Sequence, residues 1–318
     1  MSDEIKKMHL IIDISYLYHR HIYSVRSGAR RKLSAIVDGQ LVDTTMIYFT
    51  LQDLEAIRKR WLTACDELVV SICFDSKSDR KDENKEYKSK RNSLTEDDFN
   101  CMRNIQEIVT NIGYNVYKAQ GMEADDLVTS LVSKYKDDFD FTVIYTPDSD
   151  LLVNLGEKVG LMRYKTSLAK LAKGKDVMDK AHLAIGVNNY SIVMGDEWGC
   201  WAPYNVTMLY KCTVGDSSDN VPGIKGFGPA AFDGYLKYLT TQLGVTSEQF
   251  AEMNKAENVE EILKRSADYF GEFKLQQALE ALELVKFRQV DVGKPEKRDS
   301  NESRNTQYGK YSMVSLFS

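Results

Sequence analysis

Residues 140–155, DFTVIYTPDSDLLVNL, decide how the chain folds. Phe141 to Thr146 is a short β-branched, apolar run that Pro147 breaks, and the break opens directly into Asp148-Ser149-Asp150. Such a run predicts a buried strand over 141–146. Two earlier segments repeat the arrangement: MHLIIDIS (8–15) ends its apolar run at Asp13, and ELVVSICFD (67–75) ends at Asp75. Apolar spacing predicts further strands over 9–14, 67–74 and 114–117, and helices over 44–63, 95–112 and 124–136. Strands alternating with helices imply an α/β fold with a mostly parallel sheet, and in such sheets ligands bind at the carboxyl ends of the strands.

The acids at those ends are joined by a second group. GMEADDLVTSLVSKY (121–135) sets Glu123, Asp125 and Asp126 ahead of a helical pattern of apolar residues, with no Lys or Arg among them. Acids in a first helical turn complement the positive end of the helix dipole, which accounts for one or two of the three. Three strand ends and one helix start would then aim carboxylates at one crevice, where like charges repel unless cations neutralise them. Oxygen-only donors suit Mg²⁺ or Mn²⁺, and the four scattered histidines are assigned no ligand role. Downstream, Asp216 and Asp219 lead into Gly223-Ile224-Lys225-Gly226-Phe227-Gly228, with Pro229 placed as the first residue of a helix. Glycines let the backbone approach a ligand, and a helix N-terminus binds anions through its N–H groups, so a nucleic-acid phosphate is a natural guest; a tight helix-to-helix turn is the plain alternative.

The 318 residues, 43% hydrophobic and 28% charged, describe an ordinary folded protein. Five cysteines without a C-x-x-C pair indicate neither a disulfide framework nor a zinc knuckle, and with no signal peptide or membrane-length apolar run a reducing cytoplasm is expected. The net charge of −5 does not exclude a polyanionic partner: setting aside the nine candidate acids (Asp13, Asp75, Glu123, Asp125, Asp126, Asp148, Asp150, Asp216, Asp219) leaves +4.

Six motifs, IIDIS, CFD, EYKSKRN, GMEADD, TPDSDLL and VGDSSDNVPGIKGFGPAAF, stand in order between residues 11 and 232. Together they resemble the 5′ nucleases of the flap endonuclease superfamily, above all the stand-alone bacteriophage 5′-3′ exonucleases and the N-terminal nuclease domain of bacterial DNA polymerase I. The resemblance implies a PIN-like sheet flanked by helices, a helical arch over the active site at 76–103, and a C-terminal helix-hairpin-helix (helix-three-turn-helix) region. By position, Asp13, Asp75, Glu123, Asp125 and Asp126 resemble the family's first metal cluster, and Asp148, Asp150, Asp216 and Asp219 its second, holding two Mg²⁺ or Mn²⁺ ions about 4 Å apart for in-line phosphodiester displacement. Tyr87, Lys88 and Arg91 match the arch motif whose basic groups contact the scissile phosphate, and Arg20 resembles a further phosphate contact. Residues 223–228 would hold duplex DNA, and in relatives that hairpin also binds K⁺.

The implied partners are DNA with a 5′ end, nick or 5′ flap and RNA–DNA primer junctions, handled by a monomer in DNA replication or repair, in the host bacterial cytoplasm if phage-encoded. A stand-alone enzyme without a polymerase domain is the expected form. The expected domains are a nuclease core over 1–185, a helix-hairpin-helix region over 186–292 and a flexible tail over 293–318. The tail ends in YSMVSLFS (311–318), which is similar to the short peptides that dock replication proteins on a sliding clamp, with Met313, Val314, Leu316 and Phe317 as anchors; folding back onto the core is the alternative. The stretch EWGCWAPYN (197–205) has no counterpart in the family. Among other readings, a haloacid-dehalogenase-like phosphatase needs an Asp where Ser15 stands, a PIN-type ribonuclease needs no glycine hairpin, and a non-catalytic DNA-junction binder gains nothing from nine acids facing phosphate.

Overall fold

The computed structural model describes residues 5–77, 79, 94–164, 182–186, 205–296 and 304–313. Tyr87, Lys88 and Arg91, and EWGCWAPYN apart from Asn205, lie outside the described residues. The chain divides into two compact units: one runs to Lys77, resumes through Tyr145 and includes the chain from Val290 onward, while the other spans Thr146–Gln289. The boundary thus falls at the end of the strand quoted first, not near residue 185.

In the first unit, β1 (Lys7–Asp13), β4 (Glu67–Cys73), β5 (Asn115–Tyr117) and β6 (Phe141–Tyr145) form a parallel sheet in the order β5-β4-β1-β6. β1 is central because its Leu10, Ile11 and Ile12 are fully buried, as a strand covered on both faces must be. The register pairs Asp13 with Cys73 and Ile12 with Tyr145, which brings the carboxyl ends of three strands level. Helices α1 (Ile14–Arg26), α2 (Thr45–Leu62), α3 (Glu96–Asn111) and α4 (Ala124–Tyr135) complete the unit, with a small antiparallel ribbon of β2 (Ser34–Val37) and β3 (Gln40–Asp43). The interval expected to form the arch is partly folded into this unit: α3 starts at Glu96 and buries Asp98, which accepts from Tyr18 Oη at 2.7 Å. Among the described residues no helix is long and apolar enough to cross a membrane.

The tail also departs from expectation. Val290 N–H donates to Ser130 Oγ at 2.9 Å, and Glu296 pairs with Val116. Helix α11 (Arg304–Lys310) then lays Tyr308 against Glu55, whose buried carboxylate accepts from Tyr308 Oη at 2.9 Å, Tyr114 Oη at 2.6 Å and Arg304 Nε at 3.3 Å. Burial would raise the Glu55 carboxyl, but Tyr114, Tyr308 and Arg58, whose Nε donates to Glu55 Oε2 at 2.8 Å, outweigh that cost and hold it below its ordinary range. Met313 is 1% exposed, whereas Val314, Leu316 and Phe317 lie outside the described residues.

In the second unit, the antiparallel pair β7 (Val159–Tyr164) and β8 (His182–Ile185) accompanies a helical body. That body contains α5 (Thr207–Val214), α6 (Pro229–Thr241), α7 (Ser247–Ala251), α8 (Ala256–Arg265), α9 (Ala267–Phe270) and α10 (Glu272–Val285). Phe227, Phe232, Tyr235 and Phe270 are buried at its centre, with Phe227 and Tyr235 each against Phe270 at 5.6 and 4.6 Å between ring centroids.

Candidate metal centre and nucleic-acid interface

In the first unit each candidate acid is placed by its own local hydrogen bonds. Asp13 ends β1 and caps α1, accepting from Ser15 N–H at 2.9 Å. Asp75, two residues past β4, accepts from Ser15 Oγ at 2.6 Å and from Ala124 N–H at 2.8 Å, which ties the start of α4 to the strand end. Glu123 and Asp126 form a capping box across the first turn of α4, with Asp126 Oδ2 accepting from Glu123 N–H at 3.3 Å. The helix-start role of acids therefore accounts for two of them directly. Burial pushes the Cys73 thiol well above its ordinary range, and the charges of Asp13, Asp125 and Asp75 add to that.

The second unit holds the tighter cluster. Asp148 caps the short 3-10 turn Ser149–Asn154, accepting from Asp150 N–H at 2.9 Å. Carboxylate oxygens of Asp150, Asp216 and Asp219 lie within 4.8 Å of one another, the one such trio of acids, histidines or cysteines among the described residues. Asp219 is 5% exposed. Lys211, from the last turn of α5, places its buried ammonium on both Asp150 and Asp216, at 2.6 Å from Asp216 Oδ2. Asp216 also accepts from Ser218 N–H at 2.8 Å and Ser218 Oγ at 2.6 Å. Burial alone would raise the Asp216 carboxyl, yet Lys211 and Ser218 outweigh it and hold it at about 2. A cavity of about 420 Å³ opens here, lined by Asp148, Ser149, Tyr210, Lys211, Asp216 and Ser218 among others. Nothing in residue spacing marked Lys211; its one sequence trait is a charge inside an otherwise apolar helix, MLYKCTV.

The donor set fits hard divalent cations. The trio offers oxygen only, and two of its carboxylates, those of Asp150 and Asp216, already meet a positive group, the Lys211 ammonium, which stands in for part of the charge a cation would bring.

The hairpin follows at once. Asp216 and Val221 exchange both backbone hydrogen bonds, at 2.9 and 2.8 Å, closing the loop that carries the two acids. Gly223 has φ +60°, and a Cβ there would sit 2.4 Å from the backbone N of Gly215, so two chain segments meet with no room for a side chain. Of the six residues expected to bind DNA, Ile224 and Phe227 are core residues, 2% and 9% exposed, and serve as apolar anchors. Lys225, Gly226 and Gly228 remain toward solvent, with open space around Gly226 and Gly228, and α6 begins at Pro229 as expected.

Arg20 lies in α1 and meets Asp53 of α2 at 2.8 Å.

The 5′-3′ exonuclease N-terminal resolvase-like domain matches residues 8–183, more than half of the chain, and the protein belongs to that family. It is 28% identical over 221 residues to the 5′-3′ exonuclease of Mycoplasmopsis pulmonis, covering 69% of this chain and 62% of that one. It is 30% identical over 161 residues to DNA polymerase I of Caldicellulosiruptor bescii, covering 50% of this chain and 17% of that one. The chain thus spans 62% or less of the length of these curated relatives. Among solved structures, the T5 D15 protein co-crystallised with metal ions shares the fold at a TM-score of 0.52 and 14% identity, over 88% of this chain and 100% of that one.

Proposed function

We propose that the protein is a divalent-metal-dependent 5′-3′ exonuclease and 5′ flap endonuclease that hydrolyses phosphodiester bonds of DNA, and of RNA primers paired to it, as a cytoplasmic monomer. The observation that carries this is the Asp150–Asp216–Asp219 trio around Lys211, set one short loop before a backbone-exposing glycine hairpin. The relatives support the reading: some are called 5′-3′ exonucleases, and the bacteriophage T5 D15 flap endonuclease was solved with DNA and metal ions.

In the second unit Asp148, Asp150, Asp216 and Asp219, and in the first unit Asp13, Asp75 and Asp125 with the capping pair Glu123 and Asp126, are the residues that would hold Mg²⁺ or Mn²⁺, two ions in all. Those ions, when bound, supply the charge that lowers the pKa of an attacking water and stabilises the leaving oxygen of an in-line displacement. The chain's own residues bind and orient the DNA. Lys225 and the N–H groups at the start of α6 take backbone phosphates of the duplex; K⁺ would be a further guest of that hairpin. Lys88, Arg91 and Tyr87 contact the scissile phosphate, and Arg20 adds a guanidinium to a neighbouring one. Donors fixed on the scissile phosphate, Lys88 and Arg91, offset the charge that develops on it, while Arg20 on its neighbour contributes to binding.

The test is cleavage of 5′-flap, nicked, RNA-primed and single-stranded substrates with Mg²⁺ or Mn²⁺. Release of 5′-phosphorylated products, abolished by EDTA and reduced by orders of magnitude in Asp125→Ala and Asp148→Ala with DNA binding kept, is the expected result. Full cleavage in chelator, or release of 3′-terminal nucleotides first, would overturn the reading.

A further inference from the structure

Arg20 is held by a group that the hydrolysis itself does not call for. Arg20 and His21 are neighbours on α1, and both meet the same oxygen of Asp53 on α2: Arg20 Nη1 at 2.8 Å and His21 Nε2 at 2.8 Å from Oδ2. The three differ in burial. The His21 side chain is 7% exposed, with its ring 5.5 Å from that of Phe49, whereas those of Arg20 and Asp53 are 21% and 20% exposed. His21 is therefore the interior member of the trio, and Arg20 and Asp53 both reach solvent. The trio's place in the fold follows from α1: the helix begins at Ile14, directly after Asp13 ends β1, and Tyr16 in its first turn meets Tyr145, the last residue of β6, at 6.0 Å between ring centroids, so the helix that carries Arg20 and His21 starts at the carboxyl end of the sheet.

We propose that Asp53 is a positioning residue, which His21 braces from the interior and which holds the Arg20 guanidinium ready for a phosphate oxygen of the DNA. The inference rests on the nuclease reading above and deepens it. A flexible arginine must lose rotamer freedom when it grips a phosphate; a carboxylate that orients the planar fork beforehand removes part of that cost. A partly exposed ion pair adds little to folding, so the value of this one lies in orientation.

The sign of the effect separates orientation from simple electrostatics. Removing an acid near a phosphate should tighten DNA binding by charge alone, whereas loss of orientation should weaken it. The experiment measures DNA affinity in Ca²⁺ and KM and kcat in Mg²⁺ for the wild type, Arg20→Ala, Asp53→Ala, Asp53→Asn and the double variant, with thermal melts of each. Asp53→Ala should weaken binding and raise KM by about fivefold, corresponding to about one oriented side chain, with kcat nearly kept. That effect should vanish in the Arg20→Ala background, and the salt dependence of binding should lose about one phosphate contact in Arg20→Ala and in Asp53→Ala. Asp53→Asn, which keeps the shape, should fall between, and it carries the test if Asp53→Ala does not fold. Asp53 variants that bind as well as the wild type or better, while Arg20→Ala binds more weakly, overturn the positioning role alone. An Arg20→Ala that binds and cuts like the wild type overturns Arg20 as a phosphate contact, and the proposal with it.

Discussion

Replacing Lys211 by methionine removes the ammonium from the Asp150–Asp216–Asp219 trio while keeping much of the side chain's length. The structure sets the size of the effect. Asp216 is held at about 2 instead of 3.8 although its burial acts the other way, so its ionised form is favoured by on the order of 2 kcal/mol. Lys211 and Asp216 are 8% and 14% exposed, so solvent screens this pair only weakly. In the metal-free protein Lys211→Met leaves buried carboxylates facing one another, and the protein should melt several degrees lower. A cation no longer has to displace the ammonium, so Mn²⁺ should bind this cluster about tenfold or more tightly, since about 1.4 kcal/mol is a factor of ten. Titration calorimetry with Mn²⁺ on the full chain reads this directly, without reference to turnover. The gain should disappear in an Asp216→Asn background. The pH dependence has a defined sign: the Asp216 carboxyl lies below its ordinary value, so its contribution to stability is complete above 3.8 and is lost as pH falls toward 2. Unchanged or weaker Mn²⁺ binding by Lys211→Met would refute the idea that the ammonium holds a cation's place.

Two further outcomes are expected. His9 is 1% exposed, stacks on Phe139 and shares a 2.7 Å hydrogen bond with Ser71, and burial lowers its pKa to about 4 from 6.5. The neutral ring is favoured in the fold, so stability should be complete above pH 6.5 and decline by about 3 kcal/mol as pH falls to 4; His9→Gln, followed by denaturant melts across that range, should flatten the decline. Tyr308→Phe removes one hydrogen bond to the buried Glu55 carboxylate, costing about 1.5–3 kcal/mol and lowering Tm by several degrees; a free tail would predict no shift in the same melt.

Most of the first unit was legible because its signals are local. The period of apolar residues is written within each segment, so the expected strands over 67–74 and 141–146 appear as Glu67–Cys73 and Phe141–Tyr145, and the helix over 124–136 as Ala124–Tyr135. The acids at strand ends were visible for the same reason: a strand stops where its apolar run stops, and Asp13 and Asp75 stand at or just past that point. Helix α1 is not among the expected elements, although Ile14, Leu17, Tyr18, His21 and Ile22 are its buried residues: a buried tyrosine and histidine interrupt the purely apolar period that marks the other helices. The ribbon of β2 and β3 escaped because Ile36 and Leu41 pair across it while facing solvent, which apolar alternation does not anticipate.

What only the tertiary structure decided are pairings between residues far apart in the chain. Lys211 reads as a stray charge until the fold sets it on Asp150, and Arg20 reads as a bare phosphate contact until α2 brings Asp53 to it. The tail is polar enough to read as mobile; a helix of seven residues is too short to persist alone, and it forms because Tyr308 and Met313 are buried and Glu55 accepts its hydrogen bonds. Periodicity and capping are set by neighbours a few residues away, so composition and spacing carry them. A buried charge is stable only where a distant partner meets it in space, and that partner is chosen by packing.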